Sequence, residues 1–78
     1  MEVVDIRINS TGKNPLAQVD MNAYNNTYHV DVFRTRRGGL EIYCPAIVQP
    51  QHRGKLSIDD IREMRRLALE RYEAAVSS

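Results

Sequence analysis

Residues 56–76 read LSIDDIREMRRLALERYEAAV and carry the longest helical pattern in this chain. Ser57 suits the N-cap position, because its hydroxyl can accept a hydrogen bond from a free backbone N–H in the first turn. Asp60, three residues later, makes a variant capping box, and acidic residues favour the positive end of the helix dipole. Leu56 and Ile61 stand where a hydrophobic staple would hold the start of the helix. We therefore predict a helix over about residues 58–76.

One side of this predicted helix is apolar and should pack on the rest of the chain. Its members recur at helical spacing and are Ile58, Ile61, Met64, Ala68, Leu69, Tyr72, Ala75 and Val76. Arg65 projects within that stripe, where either its stem snorkels off the edge of the core or its guanidinium contacts a partner. Leu67 projects from the opposite, polar side and is expected to be exposed.

The chain has 78 residues and a formal net charge of +1, with 11 basic and 10 acidic side chains. This length predicts one domain over residues 1–78, and oligomerisation is an ordinary remedy for so small a core. Total charge favours neither nucleic acid nor membrane as a partner, so only local clusters of charge are informative. No segment has the pattern of a signal peptide or of a membrane span. We expect a cytoplasmic location and no membrane partner.

Four segments before the helix have the composition and alternation of β-strands and are separated by turn residues. The predicted strands cover about residues 2–9, 16–24, 28–35 and 40–44. In the first of them, Val4, Ile6 and Ile8 are expected to face inward. Asn25 and Asn26 are expected to form the turn between the second and third strands, because Asn tolerates positive φ.

The order β-β-β-β-α with short connections predicts an α+β fold. We expect a four-stranded antiparallel β-meander with one C-terminal α-helix packed on one face. Phe33 and Tyr43 fall on the other face, which would be solvated or shared with a second copy. An uncovered face and uncovered edges predict a homodimer, with Phe33 and Tyr43 as the contacts to the partner.

No group of residues in the sequence predicts an enzyme. Cys44, the sole cysteine, could pair with His29 or His52 as nucleophile and base, but an inward-facing strand cysteine behaves as a small hydrophobe. These three residues are too few for a structural zinc site. Gly38 and Gly39 lack the strand, glycine-rich loop and helix that a phosphate loop requires. We expect no catalytic residues, no metal and no cofactor.

Basic residues form three groups along the chain. The candidate nucleic-acid contacts are Arg36 and Arg37 at a hairpin tip, Arg53 and Lys55 in the loop before the helix, and Arg62, Arg65 and Arg66 on the helix. Converging groups would make a surface that tracks phosphates despite the near-neutral net charge. The alternative is that the helix arginines form ordinary solvated pairs, Arg62 with Asp59 and Arg66 with Glu63 and Glu70. The sequence leaves both interpretations open.

Two short motifs resemble the SpoVG (stage V sporulation protein G) family. The opening Met1-Glu2-Val3-x-Asp5-Ile6-Arg7-Ile8 resembles the start of that family. The segment Gly39-Leu40-x-Ile42-x-x-Pro45 resembles its glycine-leucine strand, which runs into a proline. The order of hairpins and the single C-terminal helix also agree. The chain departs in having Ala46-Ile47-Val48 where the family has basic residues, and in a shorter loop before the helix.

The resemblance implies a small cytoplasmic bacterial protein that dimerises through its sheet and binds DNA or RNA as a regulator. Family members carry basic residues in and near the C-terminal helix, where Arg62, Arg65 and Arg66 stand here. We therefore expect a small nucleic-acid-binding regulatory protein that mainly contacts phosphates. The departures keep a second class open, a protein-interaction module such as a small virus-encoded inhibitor or adaptor. Its apolar anchors would be Phe33, Tyr43, Ile47, Val48 or Leu67.

Overall fold

A computed structural model describes residues 1–45 and 56–77. Within these residues the elements are β1 (Glu2–Ile8), β2 (Ala17–Ala23), β3 (Asn26–Arg34), β4 (Leu40–Tyr43) and α1 (Ile58–Ser77). The strands form one antiparallel sheet in the order β1-β2-β3-β4, so consecutive strands are neighbours and β1 and β4 are its edges. The predicted α+β meander with a C-terminal helix is confirmed.

The core lies between the inner face of the sheet and α1. Alternate residues of β2 and β3 enter it, as expected for strands with one buried face, because successive side chains point to opposite faces. The buried members are Ala17, Val19, Met21, Ala23, Tyr28, Val30, Val32, Cys44, Leu56, Met64 and Ala68. Cys44 faces this core, as its inward position in the strand pattern predicted.

The first strand departs from the alternation that its sequence predicted. A β-bulge lies between Val3 and Asp5, and such an extra residue shifts the side chains that follow it relative to those before it. Val4, predicted to face inward, is 49% exposed, and Ile8 is 44% exposed at the end of the strand. Ile6 packs against the core as predicted, and Val3 takes the place expected for Val4.

The turn between β2 and β3 lies one residue earlier than predicted. Tyr24 and Asn25 have positive φ angles of 51° and 62°. Asn26 already pairs with Ala23 across the ladder, so Tyr24 and Asn25 form a two-residue hairpin loop. Turns of this kind need positive φ at both central residues, which Asn adopts readily. Asn26 Nδ2 supports the loop by donating to Tyr24 O at 3.0 Å.

The helix begins with the predicted capping box. Ser57 Oγ accepts a hydrogen bond from the backbone N of Asp60 at 3.0 Å. Asp60 Oδ2 accepts one from the backbone N of Ser57, also at 3.0 Å. The reciprocal pair satisfies two backbone donors at the start of the helix. Leu56, just before the box, is buried in the core.

The buried side of α1 is centred on Met64 and Ala68, which are fully buried. The prediction that Leu67 is exposed was wrong. Its side chain lies beside the fully buried positions of α1 and packs half-buried against the core. Ile58 and Val76 were also placed wrongly on the inner side. They are 71% and 52% exposed, since the terminal turns of α1 extend past the core.

Candidate nucleic-acid interface

The hairpin between β3 and β4 carries Arg36 and Arg37 at its tip, as predicted, and both are exposed. Thr35 N donates to Gly39 O at 2.8 Å, and Gly38 N donates to Thr35 O at 2.9 Å. Gly39 N also donates to Thr35 Oγ1 at 3.2 Å. Gly38 has a φ of 88°, which a glycine adopts without steric cost. The two arginines therefore stand on an ordered turn.

Neither hairpin-tip arginine forms an ion pair or a hydrogen bond with any residue in the described ranges 1–45 and 56–77. Arg34, at the base of the tip, instead donates from Nη1 to Gly38 O at 2.8 Å. The N–H donors of a guanidinium that has no carboxylate partner within the chain can bind an acceptor on another molecule. Phosphate oxygens suit it well, because they match the planar fork of donors in a bidentate arrangement.

The β1–β2 loop lies beside this hairpin and contributes Lys13, an exposed cation that sequence patterns did not single out. Asn14 makes the connection. Its Oδ1 accepts from the backbone N of Arg34 at 2.9 Å, and its Nδ2 donates to Arg34 O at 3.0 Å. The contact joins residues 20 positions apart in the sequence, so no local sequence motif predicts it. Lys13 is adjacent to Asn14, and Arg36 lies two residues beyond Arg34, so these cations share one end of the sheet.

The β1–β2 loop is itself held in place by Asn9. Its Nδ2 donates to Lys13 O at 3.0 Å and to Pro15 O at 3.1 Å. Its Oδ1 accepts from the backbone N and the hydroxyl of Thr11, at 3.1 Å and 2.9 Å. Both loops at this end of the sheet therefore have defined backbones. We refer to their four cations as the basic loop end, and they are Lys13, Arg34, Arg36 and Arg37.

Two helix arginines, Arg62 and Arg66, meet carboxylates of their own helix, as the alternative interpretation expected. Arg66 pairs with Glu63 and, at 3.1 Å, with Glu70. These two carboxylates, Glu63 first, raise the pKa of the Arg66 guanidinium. Arg62 Nη1 lies 4.0 Å from Asp59 Oδ1, and both side chains are largely exposed. The charge of Arg66 is thus largely matched within the helix, whereas Arg62 is only loosely paired.

Arg65 reaches the sheet instead. Its Nε and Nη2 each donate to the Glu41 carboxylate at 3.1 Å, and Nη2 lies 3.5 Å from Leu40 O. This bidentate pair is the main cause that lowers the pKa of Glu41. It ties the middle of α1 to the first residues of β4, next to the hairpin tip. Arg65 therefore comes close to the basic loop end with its charge already matched. Arg53 and Lys55 lie outside the described residues.

The sheet face opposite α1, here called the outer face, carries Phe33 and Tyr43 as predicted. Phe33 pairs with Glu41 and Asp31 pairs with Tyr43, so the two aromatic residues are diagonal neighbours across β3 and β4. Such neighbours lie about 7–8 Å apart, within reach of aromatic side chains. Phe33 is half-buried and Tyr43 is 46% exposed. Phe33 is the last outer-face residue of β3 before the hairpin, so the aromatic pair adjoins the strand end that carries the basic loop end, although the Arg34 side chain itself points to the opposite face.

The rest of the outer face is covered by a polar network. Arg7 donates to both oxygens of Asp20, at 2.9 Å and 3.1 Å, and His29 Nδ1 lies 2.7 Å from Asp20 Oδ1. These contacts, that with Arg7 first, lower the pKa of Asp20 to about 2. Gln18 Nε2 donates to Asp31 Oδ1 at 3.1 Å. Among the described residues, aromatic surface on this face is therefore confined to its β3–β4 side, and the homodimer through that surface stays a prediction.

Comparisons with protein-family models, with curated proteins and with solved structures found no match for this chain. Its class therefore rests on its own fold and surface, an α+β domain with an open antiparallel sheet and a basic end. In the described ranges, no three or more His, Cys, Asp or Glu side chains are grouped so that they could hold a metal ion. No helix in those ranges is long and apolar enough to cross a membrane.

Proposed function

We propose that this chain is a small cytoplasmic nucleic-acid-binding regulatory protein that contacts phosphates through its basic loop end. The observation that carries the proposal is the state of Arg36 and Arg37. Both are exposed on a hydrogen-bonded turn, and neither is paired with a carboxylate of the described chain. Lys13 joins them from the neighbouring loop. The resemblance to the SpoVG family supports the same class of function.

The helix contributes less to this proposed surface than its arginine content implies. Arg62 remains a candidate contact, because its side chain is 78% exposed and its carboxylate partner is 4.0 Å away. Arg65 and Arg66 would each have to leave a closer carboxylate before they could hold a phosphate. Arg53 and Lys55 stay in the proposal as contacts from the loop before the helix.

The salt dependence of nucleic-acid binding tests the proposal. Each phosphate contact releases condensed counterions, so Lys13, Arg36 and Arg37 alone would give a log–log slope of roughly −2 on single strands and about −3 on duplex DNA. We expect the double variant Arg36→Gln/Arg37→Gln to weaken binding to all sequences and to flatten the single-strand slope by roughly 1.4. Fluorescence anisotropy with labelled DNA and RNA oligonucleotides measures both quantities.

The matched control is a single arginine that already has partners. Arg66→Gln removes the same charge as Arg37→Gln but from a site held by Glu63 and Glu70. We expect Arg37→Gln to flatten the slope and Arg66→Gln to leave it nearly unchanged. The absence of any binding of DNA or RNA by the unaltered protein at low salt would contradict the proposed function.

A second candidate function is a protein-interaction module, such as an inhibitor or adaptor. The observation in its favour is Tyr43, which is 46% exposed on the edge strand β4. Extended peptides add to sheet edges, and neighbouring side chains then supply specificity. This function predicts negligible nucleic-acid binding at physiological salt and a protein partner that is lost with Tyr43→Ala. Among the other proposed anchors, Leu67 is half-buried, and Ile47 and Val48 lie outside the described residues.

A further inference from the structure

We infer that the ligand of the basic loop end is single-stranded nucleic acid, whose bases stack on Phe33 and Tyr43 of the outer face. Its phosphates would follow Lys13, Arg36 and Arg37. The inference rests on the proposed function and adds two things to it, the form of the nucleic acid and the surface that holds its bases.

The aromatic pair favours a single strand over a duplex as the ligand. A duplex keeps the flat faces of its bases stacked inside and offers a protein only its backbone and groove edges. The bases of a single strand can unstack and lie on aromatic side chains, and every base has a face suited to this. Phe33 and Tyr43 are diagonal neighbours on an antiparallel sheet, with Tyr43 46% exposed. A duplex would leave both rings unused.

The charges around the aromatic pair determine where the phosphates and the bases of such a strand would lie. At one end of the pair lies the basic loop end, and Glu41, the direct cross-strand neighbour of Phe33, is already held by Arg65 in a bidentate pair. At the other end, Asp31 is the direct cross-strand neighbour of Tyr43 and belongs, with Asp20, to the polar network across β2 and β3. Phosphates laid over that network would be repelled by its carboxylates. The backbone is therefore favoured at the loop end, with the bases directed over the aromatic pair.

A second copy of the chain is the competing occupant of this face. A face-to-face pair related by a two-fold axis would bring the two copies of the polar network towards each other. Within each network the carboxylates of Asp5, Asp20 and Asp31 outnumber the Arg7 guanidinium that pairs with two of them, and like charges brought together disfavour association. The cations of the loop end complement a polyanion instead. The charge pattern therefore favours nucleic acid over the homodimer contact that the sequence predicts for Phe33 and Tyr43.

The test compares three probes of one mixed sequence: a labelled single-stranded DNA, the matching single-stranded RNA and the DNA duplex. We expect at least one single strand to bind more tightly than the duplex. Tyr43→Leu should weaken single-strand binding by roughly 5- to 150-fold, the range for loss of one base–aromatic stack. The salt slope should not change, since no phosphate contact is lost. Tyr43→Phe keeps the ring and should keep the affinity.

Two further variants complete the set. Phe33→Leu retains an apolar side chain at a half-buried position and should also weaken single-strand binding, with the fold checked by circular dichroism. Ile58→Ala is the matched control, because Ile58 is an exposed apolar residue on α1, 71% exposed and not on the outer face. It should bind like the unaltered protein.

Each outcome has one meaning. Single strands and duplex bound equally, with no effect of Tyr43→Leu, would overturn the inference and leave the proposed function standing. No binding of any probe at low salt would overturn both. A dimer in sedimentation experiments that Tyr43→Leu dissociates without changing nucleic-acid affinity would assign the face to a second copy and overturn the inference. Binding of only the RNA or only the DNA single strand supports the inference and shows whether the protein selects ribose or deoxyribose.

Discussion

Tyr24 donates its hydroxyl to the carboxylate of Asp60, with 2.9 Å to each of the two oxygens. The contact joins the β2–β3 turn to the first turn of α1, and the same carboxylate closes the capping box with Ser57. It raises the pKa of Tyr24. The pKa of Asp60 is lowered, first by the Ser57 backbone and then by Tyr24. One side chain thus holds both the start of the helix and a two-residue hairpin loop.

We expect Tyr24→Phe to lower the denaturant midpoint of unfolding. The variant keeps the ring but removes the hydroxyl that Asp60 accepts, so the turn and the helix lose their direct connection. The matched control is Tyr43→Phe, because the Tyr43 hydroxyl has no hydrogen-bond partner in the part of the chain that the structure describes. Urea titrations of the three proteins measure the midpoints. Equal midpoints for Tyr24→Phe and the unaltered protein would show that the contact does not stabilise the fold.

Acid should destabilise the fold through Asp20. Its pKa is lowered from 3.8 to about 2, mainly by Arg7 and then by His29. Because the folded state binds this proton less tightly than the unfolded state, the stabilisation is present above the ordinary pKa and is lost as pH falls from about 4 to about 2. Urea midpoints over that range should decline less steeply for Asp20→Asn. Asp60 and Glu41, whose pKa values are also lowered, contribute to the decline that remains. Parallel declines would rule out Asp20 as a source.

Three truncations on α1 should rank by burial. Met64→Ala removes a fully buried side chain and should cost about 2–5 kcal/mol in the free energy of unfolding. Ile58→Ala, at a 71% exposed position, should change it by about 0.5 kcal/mol or less. Leu67→Ala should fall between them, because Leu67 packs half-buried against the core. Denaturant titrations with unchanged m-values give the ranking, and a Leu67→Ala loss as small as that of Ile58→Ala would contradict it.

Asn14→Ala should weaken nucleic-acid binding although it removes no charge. The substitution deletes both hydrogen bonds to the Arg34 backbone, so the β1–β2 loop is no longer held against the β3–β4 hairpin. Lys13 and the hairpin arginines then lose their common arrangement, while the salt slope largely persists. Ser10→Ala, an exposed position in the same loop, is the matched control and should bind normally. Anisotropy titrations compare them, and unchanged affinity of Asn14→Ala would show that the two loops act independently.

The order of the elements could be predicted because it depends on neighbours in the chain. Alternation along β2 places Val19 and Met21 inward, and Ser57 with Asp60 marks the start of α1 through contacts within one turn. The β1 pattern failed for a specific reason. Val3 and Val4 are both apolar, so alternation alone cannot locate the extra residue of a bulge. Pairing with β2 selects Val3 for the core and leaves Val4 exposed.

The same distinction holds for the candidate site. Arg36 and Arg37 could be placed at a hairpin tip from Gly38 and Gly39, because turn residues act locally. The partners of the other basic residues depend on contacts between distant segments. Arg65 meets Glu41 across 24 positions, and Asn14 meets Arg34 across 20. Such pairs form when sheet register and helix packing set the distances between segments. Which cations remain available to a phosphate therefore follows from the assembled fold.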